Sequence, residues 1–515
     1  MIQGIDYAAI APPLVVTVAG IVALLADAFG LSRRVVGWFG GAGLAAGLGT
    51  VIMLAGGDRR PRGTFCLPRG LRGGGPPSCS YVADDFTLLF QGLVLAAALI
   101  VVLLSLGEIT RSRLPAGEYH FLLLAAVTGA LTLAAARDLI MLVVALETLS
   151  LPVFALVTLR RYDGVAGEAA LKLFLFSVVS TAVTLFGISL VYGVTGAMHL
   201  DRVAAALART PADLEPVATV GVVFVLTGFA VKVAAVPFHF WAPDVYQGAP
   251  LPVAAFLSVV SKAGGVAGLV ILLVVGFPAY ARTWGVVIGV VAAVTMTLGN
   301  LVASRQRSAV RLLAWSSIAQ SGYMLAPLSA GATDVRRLPD AVAATVAYVA
   351  IYSVMNIGAF GVVTAVARRG SALIDQYRGL AKTDPALGMT LAFFLACLAG
   401  LPPGVMGLFA KVVVIRATVA GGMTWLAIVM VVNTVIGLYY YLAWAARTFE
   451  APRAEPVPAG RATDGTGGPG GTGREGGTEL AVGLAIGTAL IGAVVLSVLP
   501  QLVFHLRLPV SIIPG

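Results

Sequence analysis

Long apolar stretches separated by short polar, Gly-rich or Pro-rich breaks run along the whole of this 515-residue chain. A helix needs about 20 apolar residues to cross the hydrocarbon core of a bilayer. Fourteen stretches meet that length, roughly 10–29, 35–55, 85–106, 119–136, 138–159, 168–195, 216–236, 250–276, 284–303, 309–330, 339–367, 386–421, 424–446 and 478–500. The pattern therefore predicts an all-α polytopic membrane protein. Two segments break it. Residues 197–215 place apolar residues at helical spacing around Arg202 and Arg209, which predicts a short helix lying at the membrane interface or packed on the bundle. Residues 450–478 contain the run GTGGPGGTGREGG, which cannot bury a core and reads as a flexible linker before the last span.

Composition agrees with the pattern. Hydrophobic residues make up 59% of the chain and charged ones only 11%, against roughly 25% in a soluble domain, and mean hydropathy is +0.95. A water-soluble protein is excluded. The net charge of +10 would suggest nucleic acid in a soluble chain. Here it is loop charge: Lys and Arg in the loops after odd-numbered spans, such as Arg33, Arg34, Arg111, Arg160, Arg305, Arg368 and Arg447, outnumber those on the other side. The positive-inside rule then puts both termini outside, and no nucleic-acid partner is expected. Residues 1–9 carry Asp6 and no basic residue, so no cleavable signal is expected. Cys397 lies in an apolar helix as a packing residue. Cys66 and Cys79 share one polar loop and would pair if that loop faces an oxidising compartment.

The chain has five lysines among its 34 basic residues, and four of them, Lys172, Lys232, Lys262 and Lys411, fall inside predicted spans. Loop charge is written almost entirely as Arg. Guanidinium stays protonated, whereas a desolvated ammonium can give up its proton, so an amine in the span points to proton chemistry. A charge at the bilayer centre costs roughly 2.5–3.5 kcal/mol on an insertion scale, which argues against accident. Lys172 begins its span one turn after Glu168, and snorkelling or local pairing accounts for it equally well. Glu147 lies nine residues into its span, about 13–14 Å along the helix and near mid-membrane. Alternating Glu and Lys is what a relay needs, since each charge sets its neighbour's proton affinity; a static ion pair fixing helix packing is the alternative.

Backbone breaks accompany two of the lysines. Pro237 and Pro243 follow Lys232, and Pro402, Pro403, Gly404 and Gly407 precede Lys411. Broken helices at spans 7 and 12 divide the chain into 1–118 (spans 1–3), a first five-span unit 119–276, a second 277–447, the Gly-rich 448–477 and a final helix in 478–515. Two units of five spans must be inverted, because five is odd. His239, just past the first break, is a candidate proton carrier to the inside face or a hydrogen-bonding core residue. Ser316, Ser317, Gln320 and Tyr323, with Asn300 and Asn356, would hold waters or simply brace helices. With no CxxC, metal-spaced His pair, phosphate loop or dinucleotide fingerprint, no cofactor or redox centre is expected on this chain.

The stretches LETLSLPVFALV, VKVAAVPFHFWAPDVYQGAPLPVAAFLSVVSKAG, GNLVASRQRSAVRLLAWSSIAQSGYML, YSVMNIGAFGVV and AGLPPGVMGLFAKVVVI resemble the antiporter-like membrane subunits of bacterial complex I, the proton-pumping NADH:quinone oxidoreductase. The likeness covers roughly residues 120–447. FHFWAPDVYQGAP followed by SKAG, Lys411 in place of the Glu typical of the M branch, and an end shortly after span 14 rather than the long amphipathic helix of the L branch leave the N branch as the nearest.

The resemblance implies roles. Glu147 matches the helix-5 acid that pairs with a pumping lysine, Lys172 a further lysine near that acid, Lys232 the helix-7 lysine of the input half-channel, Lys262 the central connecting lysine and Lys411 the helix-12 lysine of the output half-channel. Where related chains often carry His, this one has Gln320, which cannot titrate. The loop with Cys66 and Cys79 and the Gly-rich insert also depart from the commoner pattern. The implied partners are the other membrane subunits of complex I, especially the antiporter-like ones, in the bacterial inner membrane, with quinone met only through the assembled complex. A Mrp-type cation/proton antiporter shares the fold and the Glu/Lys pattern and is the alternative.

Overall fold

A computed structural model describes residues 4–57, 60–68, 70, 77–160, 163–368, 370, 372–451 and 472–504. Most of the Gly-rich segment expected at 450–478 lies outside these residues. The chain opens with the helical hairpin α1 (Ala11–Ala28) and α2 (Arg33–Gly56), then two short strands, β1 (Arg62–Cys66) and β2 (Cys79–Ala83), and α3 (Asp85–Arg111). Next come α4 (Ala116–Ala135), α5 (Leu139–Thr158), α6 (Gly164–Thr195), the short α7 (Leu200–Leu207), α8 (Glu215–Lys232) and α9 (Trp241–Gly248). One long helix comes after these as α10 (Leu251–Phe256), a π-turn at Leu257–Ser261, α11 (Lys262–Ile271) and a second π-turn at Leu272–Gly276. The rest is α12 (Ala281–Ala303), α13 (Ala309–Gly331), α14 (Leu338–Ala367), α15 (Leu380–Thr383), α16 (Pro385–Ala399), α17 (Val405–Ala420), α18 (Thr424–Phe449), α19 (Thr472–Val498) and α20 (Gln501–Phe504).

Lipid offers the backbone no hydrogen bonds, so apolar stretches of this length close their own as helices. Their starts reflect local chemistry. Asp84 accepts from Thr87 N at 2.8 Å to cap α3, and Asp138 from Met141 N at 2.7 Å to cap α5. Twelve helices among the described residues are long and apolar enough to cross a membrane, two fewer than the fourteen spans expected. The two not counted are α13, whose interior carries Ser316, Ser317, Gln320 and Ser321, and the pair α16 and α17, each too short alone. Outward faces carry large apolar side chains, such as Leu171, Leu175, Val178 and Val179 on α6, while Ser180 and Thr184 of the same helix are buried. This is the arrangement expected where lipid is the solvent.

The hairpin of β1 and β2 adds one short strand pair to an otherwise helical membrane fold. Its strands pair antiparallel, Arg62 opposite Ala83 and Cys66 opposite Cys79, and Cys66 and Cys79 form a disulfide. Five residues per strand, set among glycines and prolines, leave too little alternation to be read from sequence. Arg137 N donates to Ser80 O at 2.7 Å and Ser78 Oγ to Asp201 at 2.5 Å, so the hairpin ties the α4–α5 turn to α7. The α7 helix packs Leu200, Val203 and Leu207 inward. With a sequence separation of 13 between the cysteines, replacing both by Ala is expected to destabilise this end by about 3 kcal/mol in the chain-entropy model. Thermal unfolding of the variant checks the loss, and mass spectrometry after alkylation without reductant should find Cys66 and Cys79 unmodified in the parent chain.

A second tie lies beneath the hairpin. Arg137 and Asp84 form a buried ion pair at 2.7 Å, and the guanidinium also donates to Ala136 O at 3.0 Å and Thr87 Oγ1 at 3.3 Å. The fold thereby locks the starts of α3 and α5 to one end and leaves the helix centres free to carry polar groups.

Candidate functional site: a file of lysines through the bundle

Lys232 is the last residue of α8, where the helix breaks for eight residues before α9. The freed backbone finds partners in protein: Val236 N donates to Thr295 Oγ1 at 2.9 Å, and Trp241 Nε1 to Val231 O at 3.1 Å. Such compensation is what permits non-helical backbone within a membrane. Lys232 Nζ donates to Ser150 Oγ at 2.8 Å. Ser150 stands three residues after Glu147 on α5, hence on the same helix face. Glu147 itself is partly buried and accepts from Thr181 Oγ1 of α6. No ion pair within 4.0 Å joins Glu147 to a lysine among the described residues; Ser150 stands beside both groups.

Lys262 comes directly after the first π-turn in the most enclosed of the long helices and is 3% exposed. A π-turn inserts one residue and re-aims the side chains beyond it. The ammonium has three donors, and all three find oxygen: Ser317 O at 2.5 Å, Ser317 Oγ at 2.7 Å and Ser321 Oγ at 2.8 Å, all on α13. Ser321 Oγ donates onward to Val233 O at 2.7 Å, the residue next to Lys232. Tyr352 OH of α14 donates to Ser317 Oγ at 2.8 Å, and its ring lies 5.8 Å from Lys262 Nζ.

Beyond Ser317 the polar groups continue across α13. Ser316 shares a hydrogen bond with Tyr441 OH of α18, Gln320 Nε2 donates to the same phenol at 3.3 Å, and Tyr348 OH donates to Gln320 Oε1. Tyr348 stacks on Tyr323 at 5.9 Å, and the Tyr323 ring lies 5.8 Å from Lys411 Nζ. Lys411, 5% exposed, donates to Ala399 O at 2.6 Å. That carbonyl ends α16, so the ammonium sits at the negative end of a half-helix dipole. Gly400, at φ +82°, turns the chain there; a side chain would be strained and its Cβ would lie 3.2 Å from Lys411 Cδ.

Three of the six residues singled out in the sequence, Lys232, Lys262 and Lys411, lie along this file, and Glu147 adjoins its first member through Ser150. The other two lie elsewhere. Lys172 is 40% exposed and pairs with Glu168 and Asp244, both at 2.7 Å, while Arg311 holds the other Asp244 oxygen at 2.8 Å. His239 is buried against Trp315 at 5.3 Å between ring centroids, and its Nδ1 has no hydrogen-bond partner among the described residues. Asn300 belongs to a separate cluster with Asn433 and Tyr440 that joins α12 to α18. Ser321, Tyr348, Tyr352 and Tyr441 were missed. Ser321 follows Ser317 at i+4, a signal that was available; the tyrosines read as ordinary core aromatics.

Fold and site together define a polytopic membrane protein with amines and hydroxyls threaded between two broken helices, the form of an ion- or proton-moving transporter. The chain belongs to the NADH:quinone oxidoreductase/Mrp antiporter transmembrane family, whose model matches residues 136–437. It is 53% identical over 472 residues to NADH-quinone oxidoreductase subunit N 2 of Streptomyces griseus, covering 90% of this chain and 86% of that one. Identity to subunit N of Salinispora tropica is 45% over 473 residues, 89% of this chain and 88% of the relative. Among solved structures, a chain of respiratory complex I from Thermus thermophilus with bound aureothin is 28% identical, with a TM-score of 0.73 and coverage of 96% and 99%. A chain of the Mrp complex from Dietzia sp. shares the fold, at 23% identity, a TM-score of 0.78 and coverage of 97% and 96%.

Proposed function

We propose that this chain is the proton-translocating N subunit of a bacterial respiratory NADH:quinone oxidoreductase, working beside the other membrane subunits of that complex. The observation that carries the reading is the run of hydrogen-bonding groups from Ser150 and Lys232 through Ser321 to Lys262, then over Ser317, Ser316, Tyr441, Gln320 and Tyr348 toward Tyr323 and Lys411. The bundle crosses the membrane fourteen times, with α8/α9 and α16/α17 each forming one broken crossing, and both termini lie outside. Residues 119–276 and 277–447 form inverted units. In the first, the lysine ends the half-helix before the break; in the second, it lies past the break and caps the preceding half-helix. Protons are taken up from the cytoplasm near the first break, with His239 on that side, pass Lys232 and Lys262 and leave past Lys411. Quinone reduction on partner subunits drives the movement by altering the charge on Glu147 and on Lys232, which lies beside it through Ser150, while Lys172, held by Glu168 and Asp244, stands outside the file.

The Mrp-type antiporter reading rests on the shared fold. The relatives that match at 53% and 45% identity carry the oxidoreductase name, which favours the complex. Replacing Glu147 or Lys232 by Ala in the assembled complex should reduce NADH-driven proton uptake by inverted vesicles at least about tenfold, short of the roughly 10²-fold that marks the low end of what a positioned proton-transfer group contributes. Full uptake in both variants would overturn the relay. Purification of this chain without flavin or Fe–S subunits would favour the antiporter.

A further inference from the structure

Arginine gathers where the C-terminal ends of α3, α5 and α14 meet the link from α9 to α10. A cavity of about 290 Å3 opens there, room for on the order of ten waters. Its charged lining is Arg111, Arg160, Arg368 and Glu108. Glu108, 5% exposed, is already engaged: Oε1 accepts from Arg160 Nη2 at 2.6 Å and from Ser112 Oγ at 2.8 Å. Three guanidinium charges therefore face one carboxylate. Glu479 on α19 also acts on Arg368 but does not line the cavity. Three helices present C-terminal ends and two, beginning at Leu251 and Ala309, present N-terminal ends, so the backbone dipoles largely offset one another and the side chains set the field.

The site is built rather than merely charged. A Cβ on Gly107 would stand 1.3 Å from Arg368 Nη2, so glycine is what lets that guanidinium lie against α3. Arg160 Nε is buried with no hydrogen-bond partner among the described residues. Guanidinium does not release its proton, which makes this cluster unfit to pass protons, but its planar fork matches phosphate oxygens. The proton route through Lys232, Lys262 and Lys411 does not use it.

The geometry points to a binding site in this cavity for a phosphate group, carried by an anionic phospholipid headgroup or by soluble phosphate. Arg111 makes the charge-assisted contact, and Arg368 and Arg160, the latter fixed by Glu108, line the same cavity. The test uses the assembled complex containing this chain, purified in detergent and washed free of lipid and phosphate. Binding of phosphatidylglycerol, phosphatidylcholine and inorganic phosphate is measured as bound phosphorus per complex, for the parent and for Arg111→Gln, Arg111→Lys and Arg111→Gln/Arg368→Gln.

Arg111 is exposed at a helix end, so its replacement spares the fold. Arg111→Gln should weaken binding about tenfold, Arg111→Lys less, and the double variant should lose about one bound phosphate group per complex. Preference for phosphatidylglycerol over phosphatidylcholine identifies a lipid, whereas saturation by inorganic phosphate without such preference identifies the soluble anion. Equal binding by the parent and Arg111→Gln, for every probe, overturns the site. The readout is binding alone, so it stands apart from any failure of proton transport.

Discussion

Lys262→Met in the assembled complex is expected to lower NADH-driven proton uptake by inverted vesicles by about 10²-fold or more, the lower range for loss of a group that transfers a proton. Lys262 joins the two halves of the file, since Ser321 links it back to Val233 and Ser317 leads on to Tyr352 and α18. Methionine fills a similar volume without the ammonium. Ser321 keeps its bond to Val233 O, and Tyr352 keeps its bond to Ser317, so the fold should survive. Lys262→Arg separates two accounts of the residue. Arginine keeps the charge but does not release a proton, so it should fail like methionine if Lys262 relays protons. Near-normal uptake by the Arg variant would show a fixed charge instead, and near-normal uptake by the Met variant would remove Lys262 from the route.

The largest stability effect is expected at one end of the bundle, beneath the β1–β2 hairpin. Asp84→Asn keeps an oxygen able to cap α3 at Thr87 N but takes away the negative charge facing Arg137, whose side chain is 9% exposed. Breaking one side of a buried pair costs about 3–5 kcal/mol because the other charge is left uncompensated. The thermal midpoint of the purified complex and the yield of assembled complex on a native gel should both fall. Arg137→Met should do similar harm by stranding Asp84. Together, Asp84→Asn and Arg137→Met should cost less than the sum of the two, since groups in direct contact are not additive. Strict additivity would mean that the pair does not interact in the folded protein.

Much of this was legible before the fold was known. Apolar length sets the helix limits, and observed ends depart from the expected ones by a few residues, as at Asp85–Arg111 against 85–106. Lys232, Lys262 and Lys411 stood out because this chain writes its loop charge as Arg. What sequence could not supply was contact between distant elements. Ser317 becomes a partner of Lys262 only because α13 crosses the central helix beside a π-turn, and no period in either segment announces that crossing. Tyr348, Tyr352 and Tyr441 carry hydroxyls whose use depends wholly on what lies opposite. The β1–β2 hairpin was hidden because pairing and the disulfide, not alternation, define it. Lys172 shows the limit of residue type: it shares the rarity of the other lysines, yet lies in an exposed ion network with Glu168, Asp244 and Arg311.

The π-turn at Leu257–Ser261 also makes the helix sensitive to register. Each residue of an α-helix advances the side-chain direction by about 100°, so one surplus residue sets how Lys262 and the segment after it are aimed relative to α10. Deleting a single residue within that turn would restore regular winding without touching any charged group. It would swing either α10 or Lys262 by about a quarter of a revolution, carrying the ammonium away from Ser317 and Ser321. The spacing of a neutral stretch is therefore as much a part of the lysine's address as the lysine itself.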